Sequence, residues 1–378
     1  VETSTNSDLA LLATSGIRRF NALAAEVDGC VRLTLGEPEF PTPAPVCEAV
    51  ARSLAKGQTH YPPNNGRPEL LEALSAYMGR QGLGYGPDEL VVTCGATEAL
   101  SATLMAILDP GDEVVVPTPA FGLYETIVRA AHGRVATLDT SRSGFQIRER
   151  DLRGVVGLRT RAIVITSPNN PTGCVLDSES LDAVAGVAAE RGLAVVCDDV
   201  YNRLCYEEGY ERFAPRHPEL RDQTVVVDSF SKPWAMTGWR LGWLAAAPAL
   251  KSQIQKMHQY LVSSVPSFLQ EAAVVALGCD VEPMRQSYRR RRDYVVARLE
   301  QMGLPVQRPA GAFYAFPDVR SLGMGSEELC EHLIREAGVA CVPGTCFGAE
   351  GFMRLSYCVS DTDLKLGLDR IEAFLARL

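Results

Sequence analysis

The sequence predicts an α/β fold: a large domain with a mainly parallel, seven-stranded sheet flanked by helices, and a smaller α+β domain. Three observations predict it. From residue 90 onward, short apolar runs alternate with amphipathic helical stretches, the pattern of strands joined by crossover helices. Most of those runs lack period-2 alternation, as strands covered on both faces do. Near residue 283 the pattern changes to a long charged helix, short strands and a closing helix.

The elements follow in order. Residues 1–40 read as an N-terminal arm that joins the small domain. Residues 41–282 form the large domain, and 283–378 the bulk of the small one. Its seven strands are expected at Leu90–Cys94, Glu113–Val116, Arg134–Leu138, Ala162–Thr166, Leu193–Cys197, Thr224–Val227 and Leu241–Ala245. Helices are expected at Ala96–Leu108, Ser178–Arg191 and Pro248–Val262, each with apolar residues on one face. In the small domain, a helix over Met284–Met302 leads to short strands near Ala312–Phe316 and Met353–Cys358. A last helix covers Thr362–Leu378.

Charge and composition exclude several roles. With 37 basic against 46 acidic residues, the formal charge is −9, which repels nucleic-acid backbones and anionic lipid. No apolar run approaches the roughly 20 residues of a membrane helix; the richest, Leu241–Leu250, is broken by Pro248. Val1-Glu2-Thr3-Ser4 lacks the basic and apolar regions of a signal peptide. The 11 cysteines are scattered without a CxxC pair, and Cys94, Cys197 and Cys341 sit in apolar runs. That usage reads as reduced core cysteine in a cytoplasmic protein. His60, His132, His217, His258 and His332 share no i, i+4 spacing and pair with no nearby cysteine, so no metal site is expected. The run Arg289–Arg292 reads as a solvated helix face, because its four side chains point in different directions. Gly82-Leu83-Gly84-Tyr85-Gly86 precedes a strand and reads as a turn, not a nucleotide loop.

Three segments carry the chemistry. Ser229-Phe230-Ser231-Lys232, with Trp239-Arg240 after it, follows the strand at 224–227. Ligands of parallel sheets bind at the carboxyl ends of strands, and two hydroxyls, an amine and a guanidinium suit a phosphate with an aldehyde nearby. Ala194–Asp198 ends an apolar strand in a carboxylate, with Tyr201 three residues on; an anion there needs a cation. Ser167-Pro168-Asn169-Asn170-Pro171-Thr172-Gly173 follows another strand end, and its prolines and glycine fix a turn that can aim one Asn side chain. Each segment alone could be an ordinary turn.

Taken together, these motifs resemble the class I/II aminotransferases, pyridoxal-phosphate enzymes of fold type I. The likeness runs from Leu35-Gly36-Glu37-Pro38 to Phe352-Met353-Arg354-Leu355-Ser356. It implies that pyridoxal 5'-phosphate is the cofactor and that Lys232 forms the Schiff base with it and moves the substrate proton. By the same resemblance Asp198 pairs with the ring nitrogen, Tyr201 and Asn170 bind the phenolic oxygen, and Phe121 stacks on the ring. Gly95, Ala96 and Thr97, between the first strand and its helix, would cradle the phosphate with Ser229, Ser231 and Arg240. Tyr61 would reach the phosphate of the neighbouring subunit of a homodimer. Arg354 would grip the substrate carboxylate by a bidentate fork, beside the backbone of Gly36. Ile17 and Arg18 match an N-terminal segment that can cover the site.

The expected function is ping-pong transfer of an amino group from an L-amino acid to a 2-oxo acid. Aspartate-specific relatives of this subgroup carry a lysine near the position of Thr97, so a neutral or aromatic donor is expected. Ile17, Phe121 and the Tyr260–Phe268 stretch are expected to line its apolar pocket. The motifs leave open a C–S β-lyase or an aminocyclopropane-carboxylate-synthase-like enzyme. A non-catalytic ligand-sensing module is a remoter alternative, because only about 35 residues precede Gly36, fewer than a DNA-binding domain needs.

Overall fold

The computed structural model describes residues 7–10 and 15–378, so the terminal stretch Val1–Ser4 read above lies outside the described residues. Seven strands form one sheet: β1 (Leu90–Thr93), β2 (Glu113–Thr118), β3 (Arg134–Asp139), β4 (Thr160–Thr166), β5 (Ala194–Asp198), β6 (Thr224–Ser229) and β7 (Gly242–Ala246). Their order is β1-β7-β6-β5-β4-β2-β3. Only β7 runs against its two neighbours; the remaining pairs are parallel.

The missing period-2 alternation has a direct cause. Val114, Val116, Val164, Val196, Val225 and Val227 enter the core on one face. Val115, Ile163, Ile165, Val195 and Cys197 enter the core on the opposite face. Both faces are dry, so both sets are apolar, and each buried Val or Ile contributes ~1.5–3 kcal/mol relative to exposure. Helices α1 (Gly16–Ala25), α2 (Gly95–Ile107), α3 (Leu123–Ala130), α4 (Ser178–Arg191) and α5 (Pro248–Val262) are joined by α6 (Glu282–Gln301) and α7 (Asp361–Leu375). The α4 boundaries are written in its caps: Asp177 accepts the Ser180 N–H at 2.8 Å, and Gly192 closes the helix in the left-handed region.

A second core lies beside the sheet. There α1, α6 and α7 contribute Phe20, Tyr288, Leu299, Leu368 and Ile371. A small antiparallel sheet joins them, with β8 (Tyr314–Ala315), β9 (Val342–Pro343) and β10 (Met353–Ser356) in the order β9-β10-β8. These strands are shorter than the expected runs 312–316 and 353–358.

The arginine run corrects the sequence reading. Arg289 and Arg290 are exposed, whereas Arg291 and Arg292 are buried. Arg291 pairs with Asp361 at 2.6 Å and with Glu39. Arg292 pairs with Glu207 at 2.7 Å and donates to the Pro309 carbonyl at 3.0 Å. Half of the run is therefore a clamp between α6 and the chain around Glu39 and Glu207. Burying such charges is tolerable only because each guanidinium is paired.

Candidate active site

The carboxyl ends of β4, β5 and β6 open into one cavity of about 330 Å³. Gly36, Ala96, Thr97, Phe121, Asn170 and Asp198 line it. So do Tyr201, Ser229, Ser231, Lys232, Arg240 and Arg354. Parallel strands deliver Asn170, Asp198, Ser229 and Lys232 to the same edge, and the small sheet brings Arg354 to them from the other side of the cavity.

Lys232 follows β6 by three residues, and its Nζ donates to the Gly36 carbonyl at 2.6 Å. Burial, aided by the charges of Arg240 and Arg354, lowers its pKa to about 8. A much larger fraction of this amine is uncharged near neutrality than of an ordinary lysine, as attack on a carbonyl requires. Asp198 ends β5. Its Oδ2 accepts from the Tyr124 hydroxyl at 2.7 Å, while its buried Oδ1 has no partner. Burial pushes the carboxyl up to about 6, the state of an anion short of a cationic donor.

Arg354, on β10, is 1 % exposed. It donates to Asn170 Oδ1 at 2.8 Å and to the Thr34 carbonyl, and its buried Nε is unpaired. Asn170 is thus held by the arginine across the cavity. The Tyr201 hydroxyl lies 2.8 Å from that of Tyr314.

Gly95, Ala96 and Thr97 are the first turn of α2, one residue earlier than the expected helix start at Ala96. Their N–H groups are among those without intrahelical acceptors, and the dipole there favours an anion. Gly95 itself is buried behind the cavity wall with φ +73, and a Cβ on it would lie 2.6 Å from the Arg240 guanidinium. Gly95→Ala is expected to displace that guanidinium and weaken pyridoxal-phosphate binding by the cofactor-free protein at least about tenfold. Equilibrium dialysis measures this directly.

Phe121 precedes α3, half-buried on the cavity wall as expected of a residue that faces the ring, and Tyr61 is 90 % exposed, away from the cavity of its own chain. One expectation needs correction. In the 260–268 stretch, Tyr260 is 84 % exposed and no residue touches the cavity, whereas Ile17 does. That stretch runs from the end of α5 through the turn after it, with Tyr260 and Leu261 exposed and Val265 buried in a different core. Arg18 lines the cavity beside Ile17.

The sequence reading missed Tyr124, Thr166, Thr237 and Tyr314, all on the cavity wall. Thr166 is the last residue of an expected strand, so the strand-end rule could have found it. Its hydroxyl is 2.6 Å from that of Tyr124. A larger cleft of about 600 Å³ lies elsewhere, lined by Arg212, Arg216, Arg285, Glu211 and Glu282. Those arginines are already paired, Arg212 with Asp199, Arg216 with Glu211 and Arg285 with Glu282. Among the described residues no three His, Cys, Asp or Glu side chains converge on a metal position.

A buried amine with a lowered pKa, in one cavity with a buried arginine, is equipment for carbonyl chemistry on amino acids, and the fold is that of the fold type I enzymes. The chain belongs to the family "Aminotransferase class I and II", whose profile matches residues 28–371, and it is a transaminase. It is 40% identical over 358 residues to the aspartate/prephenate aminotransferase of Thermus thermophilus, covering 92% of this chain and 91% of that one. It is 36% identical over 378 residues to aromatic-amino-acid aminotransferase 2 of Thermococcus litoralis, covering 97% of each. The crystal structure of aspartate aminotransferase from Thermotoga maritima superposes with a TM-score of 0.95 at 36% identity, covering 98% of this chain and 100% of that one. Of the activities the motifs left open, transamination is the one these relatives support.

The family uses pyridoxal phosphate, and the cavity fits it on its own evidence. The unpartnered Asp198 Oδ1 lacks a cationic N–H donor of the kind a protonated ring nitrogen offers. Arg240 makes no ion pair among the described residues, its guanidinium donating to the Thr237 carbonyl, and the N–H groups at the start of α2 can bind an anion beside it. Lys232 supplies the amine for an aldehyde.

Proposed function

We propose that the chain moves the amino group of an L-amino acid to a 2-oxo acid in two half-reactions at this one cavity, with pyridoxal phosphate held on Lys232. The observation that carries the reading is the buried Lys232 amine, in one cavity with Asp198 and Arg354. When bound, the cofactor supplies an electron sink for the charge left as the substrate Cα–H bond breaks.

The protein's residues do the rest. Arg354, with its fork, and the Gly36 backbone orient the substrate carboxylate. Lys232 Nζ takes the Cα proton and returns it one position away. Asp198 Oδ1 holds the ring-nitrogen proton, so positive charge persists where electrons arrive. Tyr201 and Asn170 donate to the phenolic oxygen, and Phe121 covers the ring. Ser229, Ser231, Arg240 and the N–H groups of Gly95, Ala96 and Thr97 hold the phosphate. Donor and acceptor need the same arginine and the same amine, so they use the site in turn, which is ping-pong.

Tyr61 is exposed and lies off the cavity of its own chain, and we assign it to the phosphate of a partner in a homodimer. Eleven unpaired cysteines support work in the reducing cytoplasm, and no helix among the described residues is long and apolar enough to cross a membrane.

Leu35, Leu100, Phe121 and Leu123 on the wall, with Thr97 uncharged, support a neutral or aromatic donor. Arg18 favours a second reading. It lines the same cavity, with no side-chain partner among the described residues, and could hold the distal carboxylate of a dicarboxylic substrate. Titrating the yellow holoenzyme with single L-amino acids, without oxo acid, tests both. Leucine, phenylalanine or tyrosine should convert the visible band to the shorter-wavelength amine form at the lowest concentrations; glutamate or aspartate doing so selects the second reading. Pyruvate and ammonia release with an unchanged band would overturn the proposal in favour of a lyase.

A further inference from the structure

We propose that Tyr314 is a positioning residue of this site: its hydroxyl supports Tyr201 in donating to the phenolic oxygen of the bound ring, and its ring ties that hydroxyl pair to Arg354. The inference rests on the placement of pyridoxal phosphate proposed above.

Tyr314 is 1 % exposed, and its hydroxyl finds one hydrogen-bond partner among the described residues, the Tyr201 hydroxyl at 2.8 Å. A phenol has one proton and can accept through its oxygen. If Tyr201 spends its proton on a ligand oxygen, its own oxygen is left to accept, and Tyr314 is the donor in reach. Two hydroxyls in series polarise each other, so the second strengthens the donation of the first.

The ring of Tyr314 is fixed on three sides. The Arg354 guanidinium carbon lies 4.5 Å from its centroid, and Tyr201 and Phe313 pack edge-on at 5.8 and 4.9 Å. Gly36 makes the fit possible, because a Cβ there would lie 1.9 Å from the Tyr314 hydroxyl oxygen. Tyr314 on β8 pairs in register with Ser356 on β10, the strand that carries Arg354. The hydroxyl and the carboxylate-binding fork are therefore parts of one small sheet.

That linkage has an electrostatic consequence. Burial pushes the Tyr314 phenol up to about 12, and the positive charge of Arg354 opposes the rise. A substrate carboxylate on Arg354 cancels that charge, which weakens Tyr314 as a donor and, through Tyr201, the stabilisation of an anionic ring oxygen. Carboxylate binding on Arg354 is thus felt at the ring oxygen.

Holoenzymes of wild type, Tyr314→Phe and Tyr314→Leu test the proposal. The readouts are the pH midpoint of the visible absorption band, with and without 3-phenylpropanoate, and the affinity for that carboxylate. Tyr314→Phe keeps the ring on Arg354 and removes the hydroxyl. Its midpoint is expected to rise by about half a pH unit to one unit, with a smaller further shift on adding carboxylate than wild type shows and unchanged carboxylate affinity. Tyr314→Leu should show the same rise and also bind 3-phenylpropanoate about threefold more weakly. A purely structural role would lower the melting temperature of both variants without moving the midpoint. An unchanged midpoint in Tyr314→Phe overturns the proposal, and that variant decides alone if the leucine protein does not fold. A wild type with no visible band after adding pyridoxal phosphate would instead overturn the cofactor placement itself, and this inference with it.

Discussion

Lys232→Ala is expected to lose the yellow band of lysine-bound pyridoxal phosphate and to cut transamination by at least about 10⁴-fold, because the nucleophile and the proton carrier are the same group. The loss should not come from unfolding. In the cofactor-free protein the lysine pKa is about 8, against an ordinary value of 10.5. Between those values the unfolded chain binds more protons than the native one, so native stability rises with pH across that window. Below pH 8 the buried ammonium is a net cost. Cofactor-free Lys232→Ala should therefore melt no lower than cofactor-free wild type at pH 7 and lack the rise toward pH 10. Calorimetry and an absorption spectrum check both halves; a variant that stays yellow, with undiminished turnover, would end the assignment of Lys232.

Asp198→Asn is expected to lower kcat by about 10³-fold or more, the scale of losing a buried charge aimed at the reacting system. The amide is nearly isosteric and can still accept from Tyr124, so the pocket should keep its shape. Stability should move the other way. The native carboxyl titrates near 6 against an ordinary 3.8, so the native state binds more protons between those values and loses stability as pH rises through them. At pH 7 the buried anion costs up to about 3 kcal/mol without a cationic partner. Cofactor-free Asp198→Asn should be more stable than wild type at pH 7, and the difference should fade toward pH 4. With pyridoxal phosphate bound the gain should shrink or reverse, since wild type then has the ring-nitrogen proton beside its anion. Equal kcat for the two proteins would remove Asp198 from the chemistry. Stability given up at a site for function is a common pattern.

The segments that were legible are those whose chemistry is local. Asp198 ends an apolar strand, and the Ser229–Lys232 run follows another. A polar residue at that position of a parallel sheet faces the ligand edge whatever the rest of the chain does. Tyr314 and Tyr124 gave no comparable signal. Tyr314 looked like one more aromatic of a short apolar strand, and its role depends on Tyr201 and Arg354 arriving from other elements. Tyr124 is the second residue of α3, and only the distance to Asp198 distinguishes it from core. The arginine run misled for the same reason: which two of four consecutive guanidiniums find Asp361, Glu39 and Glu207 is not written in the spacing of arginines.

The sequence by itself determined the doubly covered sheet, the strand ends that face the ligand and the family to which the chain belongs. Hydrophobic periodicity and turn chemistry act within a dozen residues, and those features need no more. Only the tertiary structure decided that Arg354 holds Asn170 across 184 positions, that Asp198 keeps one oxygen unpaired, and that Tyr314 completes the hydroxyl pair. Those facts are set by the approach of distant backbones and by the exclusion of water between them. There the energy of each polar group depends on partners that the local sequence does not name.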